Sequence, residues 1–144
     1  MESKTDKAAI RAVIEGIEKA MHERDARAVF AHYIPDAVIF DLAPPLVSAM
    51  GTDPAKLEAW FAGWEGPIDR VTRDLVVTTD RDFAFAHGLS RTSATTRNGE
   101  RAVFWTRFTM GLKRIGGRWK IVHEHESVPF YMDGSFRAAI DLEP

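Results

Sequence analysis

The sequence contains no cysteine at all. This absence excludes a disulfide framework, a thiolate nucleophile and a cysteine-based zinc site, and it suits a reducing cytoplasm. The sequence also lacks an apolar run near the roughly 20 residues that a membrane-spanning helix needs. Its first seven residues are polar, unlike those of a signal peptide. We therefore expect a cytoplasmic protein that has no membrane partner.

A strong charge of either sign is missing as well. The formal net charge is −2, and the arginines are scattered among acidic residues, so no basic stripe predicts a nucleic-acid partner. With 144 residues, 45% of them hydrophobic, the chain is long enough for one sizeable core. We expect a single domain spanning residues 1–144.

The first half of the chain carries three helical patterns. Apolar residues recur at helical spacing from about Thr5 to Arg24, which predicts helix one. Asp25 can cap a short second helix that carries Tyr33 and ends at Pro35. A cap and a first-turn proline at 53–54 begin a third helix. Its apolar stripe is predicted to comprise Leu57, Trp60, Phe61 and Trp64.

The second half alternates between apolar and polar residues. After a first strand at 37–42, four long strands are predicted at 68–78, 83–97, 101–114 and 118–128. Asn98-Gly99 and Gly116-Gly117 are typical of tight two-residue hairpins. Helices followed by an antiparallel meander predict an α+β fold, with the helices on one sheet face.

Two-residue loops at both hairpins define which residues share a sheet face. One face is then expected to hold Phe85, His87, Leu89, Phe108, Met110, Leu112, Trp119, Ile121, His123, His125 and Ser127. The other is expected to hold Ala84, Ala86, Gly88, Ser90, Thr92, Trp105, Arg107, Thr109, Val122, Glu124 and Glu126. One face would lie under helices and one against a second subunit, and a single β-bulge would exchange the faces beyond it.

A motif near the end of the chain resembles a known family. Trp105, Arg107 and Thr109 alternate, and residues 117–129 read Gly-Arg-Trp-Lys-Ile-Val-His-Glu-His-Glu-Ser-Val-Pro. This region resembles the SnoaL-like, ketosteroid-isomerase-homologue branch of the NTF2-like superfamily. Its ending is also similar to the association domain of calcium/calmodulin-dependent protein kinase II. The resemblance implies a cystatin/NTF2-like cone of three helices on a strongly curved sheet, an internal pocket and a homodimer formed through the sheet.

The resemblance also implies a role for Asp41. The run His-Tyr-Ile-Pro-Asp-Ala-Val-Ile-Phe-Asp at 32–41 is similar to the ketosteroid isomerase segment that ends in its general-base aspartate. The oxyanion donors of that enzyme have no counterparts, because Ile17 takes the tyrosine position and no acid lies near Thr109. Ketosteroid isomerisation itself is therefore not expected. The alternative for Asp41 is a strand-end aspartate that hydrogen-bonds the loop before Pro44.

Further candidates lie on the last two strands. Arg107 is expected opposite Glu126, with Glu124 one step away. Such a cluster would position water or hold a polar substrate group. Limonene epoxide hydrolase, a relative in the superfamily, uses a comparable arrangement. The alternative is a surface ion pair. His123 and His125 project from one face and could chelate a metal with a third ligand, but hydrogen-bonded structural histidines are the favoured interpretation.

The sequence thus leaves two functions open. In the first, the chain is a cofactor-independent acid–base enzyme for a small apolar molecule: an isomerase, cyclase, dehydratase or hydratase. Its candidate catalytic residues are Asp41, Arg107, Glu126 and His125. Its candidate pocket residues are Trp60, Trp105, Thr109, His123 and Glu124. In the second, it is a non-catalytic ligand-binding or association module. No metal or dissociable cofactor is expected in either case.

Overall fold

The computed structural model describes residues 3–144, which form three α-helices and five β-strands. The helices are α1 (Lys4–Glu23), α2 (Ala26–Phe30) and α3 (Pro54–Phe61). The strands are β1 (Tyr33–Phe40), β2 (Trp64–Asp80), β3 (Phe83–Thr96), β4 (Arg101–Ile115) and β5 (Arg118–Ser127). In this part of the chain, no helix is both long and apolar enough to cross a membrane.

Helix α1 follows its sequence pattern closely. Ser3 caps it by accepting a hydrogen bond from the Asp6 amide. The buried side chains recur on one stripe, which packs on the sheet. Arg24 ends the helix in the left-handed conformation, with φ 58°. The prediction for the first helix is therefore confirmed.

The two shorter helices end earlier than predicted. Asp25 caps α2, but the helix stops at Phe30, and Tyr33 begins β1 instead. Asp53 caps α3 and Pro54 opens it, as expected, yet the helix stops at Phe61, so Trp64 begins β2. Both misplaced aromatic residues happened to continue an apolar helical spacing, while tertiary pairing with a neighbouring strand decided their conformation.

The strands form one sheet in the order β1-β5-β4-β3-β2. β1 runs parallel to β5, and the other neighbours are antiparallel. Irregular pairing of β2 near Gly66 and Asp74, both at positive φ, bends this long strand. The helices lie on one face, which we call the inner face, and the α+β prediction is confirmed.

The first hairpin corrects the expected register. Residues 97–99 form a three-residue loop closed by the Thr96 amide, which donates to the Glu100 carbonyl over 2.8 Å. Gly99 takes φ 83° in this loop, the left-handed residue that three-residue hairpins require. Every pair between β3 and β4 is therefore shifted by one residue, so that Ala86 faces Met110 and Gly88 faces Phe108.

The second hairpin has the predicted two-residue loop, with Ile115 opposite Arg118. A β-bulge follows, because Leu112 pairs with Ile121 whereas Gly111 pairs with His123, which leaves Val122 unmatched. The expected face map is thus wrong beyond both irregularities. The inner face holds Ala84, Ala86, Gly88, Ser90, Thr92, Phe104, Thr106, Phe108, Met110, Leu112, Trp119, Ile121, Glu124 and Glu126.

Candidate functional site

A cavity of about 360 Å³ lies between the three helices and the inner face. Its apolar and aromatic lining comprises Ile17, Met21, Val29, Phe30, Ile39, Leu42, Ala43, Met50, Gly51, Leu57, Trp60, Trp64 and Phe104. Its polar lining comprises Tyr33, Asp41, Ser48, Arg70, Thr92, Glu124 and Glu126. A cavity of this size with few polar groups is typical of a small-molecule site.

Glu124 and Tyr33 form a hydrogen-bonded pair in the cavity wall. The Tyr33 hydroxyl donates to Glu124 Oε2 over 2.8 Å. Burial raises the pKa of Glu124, Arg70 opposes that effect, and the neighbouring charge of Glu126 adds to it. Burial together with the Glu124 charge also raises the pKa of Tyr33 well above its ordinary value. The pair is therefore a protonated phenol beside a carboxyl group that gains protons more readily than usual.

Arg70 and Glu126 form a second polar pair at the same wall. Arg70 Nη2 lies 3.6 Å from Glu126 Oε2, and the two side chains are only 18% and 16% exposed. Arg70 Nε also donates to Ser90 Oγ over 3.2 Å, and Thr106 Oγ1 donates to Glu126 Oε1 over 2.8 Å. Burial opposes the charge of Arg70, but Glu126 and Glu124 raise its pKa overall. The guanidinium therefore stays charged and tied to its carboxylate.

Asp41 lies at the mouth of the cavity, just after β1. Its Oδ1 also accepts a hydrogen bond from the Ala43 amide over 3.2 Å. Both expectations for this residue thus describe part of its position, since it lines the cavity and hydrogen-bonds the following loop. Its charge also contributes to raising the pKa of Glu124.

Aromatic side chains close one side of the cavity. The Trp60 and Trp64 rings lie 5.8 Å apart, and both residues line the cavity. Two arginines hold the segment between these tryptophans, where α3 ends and β2 begins. Arg24 donates to the carbonyls of Phe61 and Gly66, and Arg97 donates to the carbonyl of Ala62.

The remaining predicted site residues lie on the opposite, outer face of the sheet. Arg107, Thr109 and His125 line an open groove of about 630 Å³ there, together with His87. Arg107 pairs with Ser127 rather than Glu126, and its Nε donates to Ser127 Oγ over 2.9 Å. The expected Arg107–Glu126 cluster is therefore wrong, because the bulge in β5 places these side chains on opposite faces.

The other two candidates are also outside the cavity lining. His123 Nδ1 donates to the Val38 carbonyl over 2.7 Å, which is a structural contact between β5 and β1. Trp105 is paired with Arg91 on the outer face. The structure thus brings Asp41, Trp60, Glu124 and Glu126 together and separates them from the other predicted residues.

Sequence reasoning missed Tyr33, Arg70, Ser90 and Thr106 as members of the site. Tyr33 was missed because it was predicted to lie in a helix. Arg70 was missed because it is one of several charged residues in a long strand, a pattern typical of exposed side chains. One signal was available for Arg70. Ile68 lies two residues before it, so in a regular strand both side chains share a face, and the apolar Ile68 is expected to face the core.

Comparisons with known proteins agree with this architecture. The SnoaL-like domain model matches residues 10–131. An NTF2-like protein of unknown function from Pseudomonas putida KT2440 is 32% identical over 100% of both chains, with a TM-score of 0.86. No curated protein matches the chain.

More distant structures share the fold. A candidate scytalone dehydratase from Novosphingobium aromaticivorans is 14% identical, covers 94% of this chain and 91% of its own, and has a TM-score of 0.77. A candidate calcium/calmodulin dependent protein kinase II association domain from Xanthomonas campestris is 21% identical over 82% and 84% of the two chains, with a TM-score of 0.70. With three helices packed on one face of a five-stranded sheet, this chain belongs to the SnoaL-like domain family of NTF2-like proteins.

Proposed function

We propose that the chain binds a small, largely apolar organic molecule in the inner cavity and catalyses a proton transfer on it through Glu124. The observation that carries this proposal is the Glu124 carboxyl group, which lines an apolar cavity and has a raised pKa because of its burial. A carboxyl group whose pKa lies closer to neutrality both accepts and returns protons efficiently.

The neighbouring residues have distinct parts in this proposal. Tyr33 positions the Glu124 carboxyl group through its hydrogen bond, while Arg70 and Glu126 fix the polar end of the cavity. Asp41 offers a second carboxylate at the mouth, where a substrate enters. Isomerisation consists of such proton transfers, and dehydration, hydration and cyclisation each include one beside the C–O or ring bond that breaks or forms. The dehydratase name of one structural relative is in keeping with this class.

Ligand binding can be tested by thermal denaturation with bicyclic ketones such as 2-tetralone. Binding to the folded state raises the melting temperature, and the rise grows with the logarithm of ligand concentration above the Kd. Ala43→Trp should abolish the shift, because residue 43 is exposed and lines the cavity mouth. Ala49→Trp, on the same loop but outside the lining, is the matched control. A shift that survives Ala43→Trp would contradict binding in this cavity.

Catalysis can be tested by deuterium exchange into the acidic C–H positions of the bound ketones, followed by NMR. The wild-type protein should accelerate the exchange, and Glu124→Gln should lower the rate by about 100-fold or more, the usual contribution of a general base. Glu100→Gln, in an exposed hairpin loop, should have no effect. Equal rates for wild type and Glu124→Gln would overturn the assignment of Glu124.

The outer face supports a second proposal, self-association of the chain through the sheet. Six apolar side chains on this face are between 44% and 59% exposed: Val71, Val76, Phe83, Phe85, Val103 and Ile115. Such a surface is typical of a subunit interface. Light scattering should give twice the 16.2 kDa of one chain. Phe85→Asp should shift it to the monomer, whereas Leu46→Asp, on a fully exposed loop residue, should not.

Dimerisation without binding or exchange of the ketones would favour the second function, a non-catalytic association module. The exposed apolar outer face is the observation that favours this alternative. The binding and exchange experiments above distinguish the two functions.

A further inference from the structure

The cavity has an uneven set of charges. Within residues 3–144, its lining contains three carboxyl groups, those of Asp41, Glu124 and Glu126, and one cationic group, the guanidinium of Arg70. The lining therefore has an excess of hydrogen-bond acceptors and of negative charge. Which ligand groups it tolerates depends on whether Arg70 is available to them.

Arg70 is already engaged. Its Nη2 lies 3.6 Å from Glu126 Oε2, and its Nε donates to Ser90 Oγ. Because both members of the ion pair are mostly buried, a ligand anion would have to compete with Glu126 for the guanidinium. That competition would leave a buried carboxylate without its partner, which is strongly unfavourable.

The carboxyl groups, by contrast, have room for another donor. An ionised carboxylate has about four acceptor sites. Glu124 accepts one hydrogen bond, from Tyr33, and Glu126 accepts one from Thr106 in addition to its contact with Arg70. A ligand that donates hydrogen bonds would add partners here without displacing any.

The rest of the lining favours a positive charge too. Four aromatic residues line the cavity: Phe30, Trp60, Trp64 and Phe104. The faces of aromatic rings attract cations and repel anions. The aromatic residues and the carboxyl groups therefore both favour a cationic ligand over an anionic one.

From this arrangement, and resting on the proposed function, we infer that the natural ligand is an apolar molecule bearing a protonated amine that faces the carboxyl groups. The cavity excludes carboxylates and phosphates. Glu126 is the specificity-determining residue, because it occupies the one arginine that would otherwise recognise an anion.

Three probes with one apolar body test this inference. Isothermal titration at pH 7 would compare 2-naphthylmethylamine, 2-naphthalenemethanol and 2-naphthoate. The amine should bind at least tenfold more tightly than the carboxylate, with the alcohol between them. Equal affinity for all three, or preference for the carboxylate, would overturn the inference and leave the proposed function standing. Absence of binding by all three would overturn both.

Two variants test the role of Glu126. Glu126→Gln should shift the ratio of amine to carboxylate affinity by at least tenfold toward the carboxylate, because Arg70 is then released. Glu100→Gln should leave the ratio unchanged. Circular dichroism would establish that each variant is folded. If Glu126→Gln does not fold, Glu124→Gln provides the same test, with a smaller expected shift in the affinity ratio. An unchanged ratio in a folded variant would overturn the role of the acidic residue tested.

Discussion

The Tyr33 hydroxyl donates a 2.8 Å hydrogen bond to Glu124 Oε2, across 91 residues of sequence. The contact joins β1 to β5 at the point where these strands run parallel. It has two consequences for Glu124. It fixes the orientation of the carboxyl group, and it favours the ionised form, which partly offsets the effect of burial on the pKa.

Removing the phenolic hydroxyl should therefore change both stability and titration. We expect Tyr33→Phe to lower the free energy of unfolding by about 1 kcal/mol, the usual net value of one hydrogen bond. It should also raise the pKa of Glu124 further, because the ionised form loses a donor. Chemical denaturation and NMR titration of the glutamate carboxyl carbons would measure the two effects. A fall in the pKa of Glu124 would contradict this account.

The raised pKa of Glu124 has a defined effect on stability. Between the ordinary value of 4.5 and the raised value in the folded protein, the folded state binds more protons than the unfolded state. The contribution of Glu124 to stability is therefore fully present below pH 4.5 and is lost as the pH rises through the raised pKa. The slope in that window is at most about 1.4 kcal/mol per pH unit for one proton.

Glu124→Gln should remove this slope, so that the difference in unfolding free energy between variant and wild type changes in favour of the variant as the pH rises. Urea denaturation from pH 4 to pH 8 would measure it. Glu100→Gln is the control, since residue 100 is exposed. A pH-independent difference between Glu124→Gln and wild type would be the contrary result.

Arg24 combines a strained backbone with a supporting side chain. Its φ is 58°, and its guanidinium donates to the carbonyls of Phe61 and Gly66 beside the tryptophan wall. Arg24→Ala should lose these hydrogen bonds and keep the strain, while Arg24→Gly should lose them and relieve the strain. We expect the glycine variant to be about 1 kcal/mol more stable than the alanine variant in chemical denaturation. Equal stability would show that the backbone strain is negligible.

Two glycines in the sheet offer a matched comparison. A Cβ at Gly88 would lie 3.1 Å from the Arg73 carbonyl oxygen and 3.2 Å from the Phe108 ring, whereas at Gly111 the nearest atom would be 3.8 Å away. Gly88→Ala should therefore cost about 1–3 kcal/mol through overpacking. Gly111→Ala should stay within about 0.5 kcal/mol of wild type. Similar melting temperatures for the two variants would contradict the close packing at Gly88.

The sequence predicts most of the fold because its local signals are strong. Helix α1 and the four long strands follow from apolar periodicity, and Gly116-Gly117 correctly indicates a two-residue hairpin. The candidate site is predicted less well. Asn98-Gly99 favours a two-residue loop just as strongly, yet Arg97 joins it, and that single extra residue shifts the register of β3 against β4.

Pairing between strands determines the conformation and the sheet face of residues whose local sequence pattern is ambiguous. Tyr33 continues a helical spacing, but its place opposite Ile121 puts it in β1 and brings its hydroxyl to Glu124. Arg70 is one of many charged residues in β2, and only its position opposite Thr92 on the inner face identifies it as part of the cavity. Strand register therefore determines which polar side chains reach the cavity. A shift of one residue would move each of them to the other face of the sheet.

The bulge at the unmatched Val122 determines which side chains of β5 face the helices. Before it, Trp119 and Ile121 face the core; after it, Glu124 and Glu126 do. A chain with an uninterrupted β5 would turn its histidines toward the helices and its glutamates toward solvent. In an unchanged sequence, the presence of this one bulge therefore separates an acidic binding chamber from an imidazole-lined one.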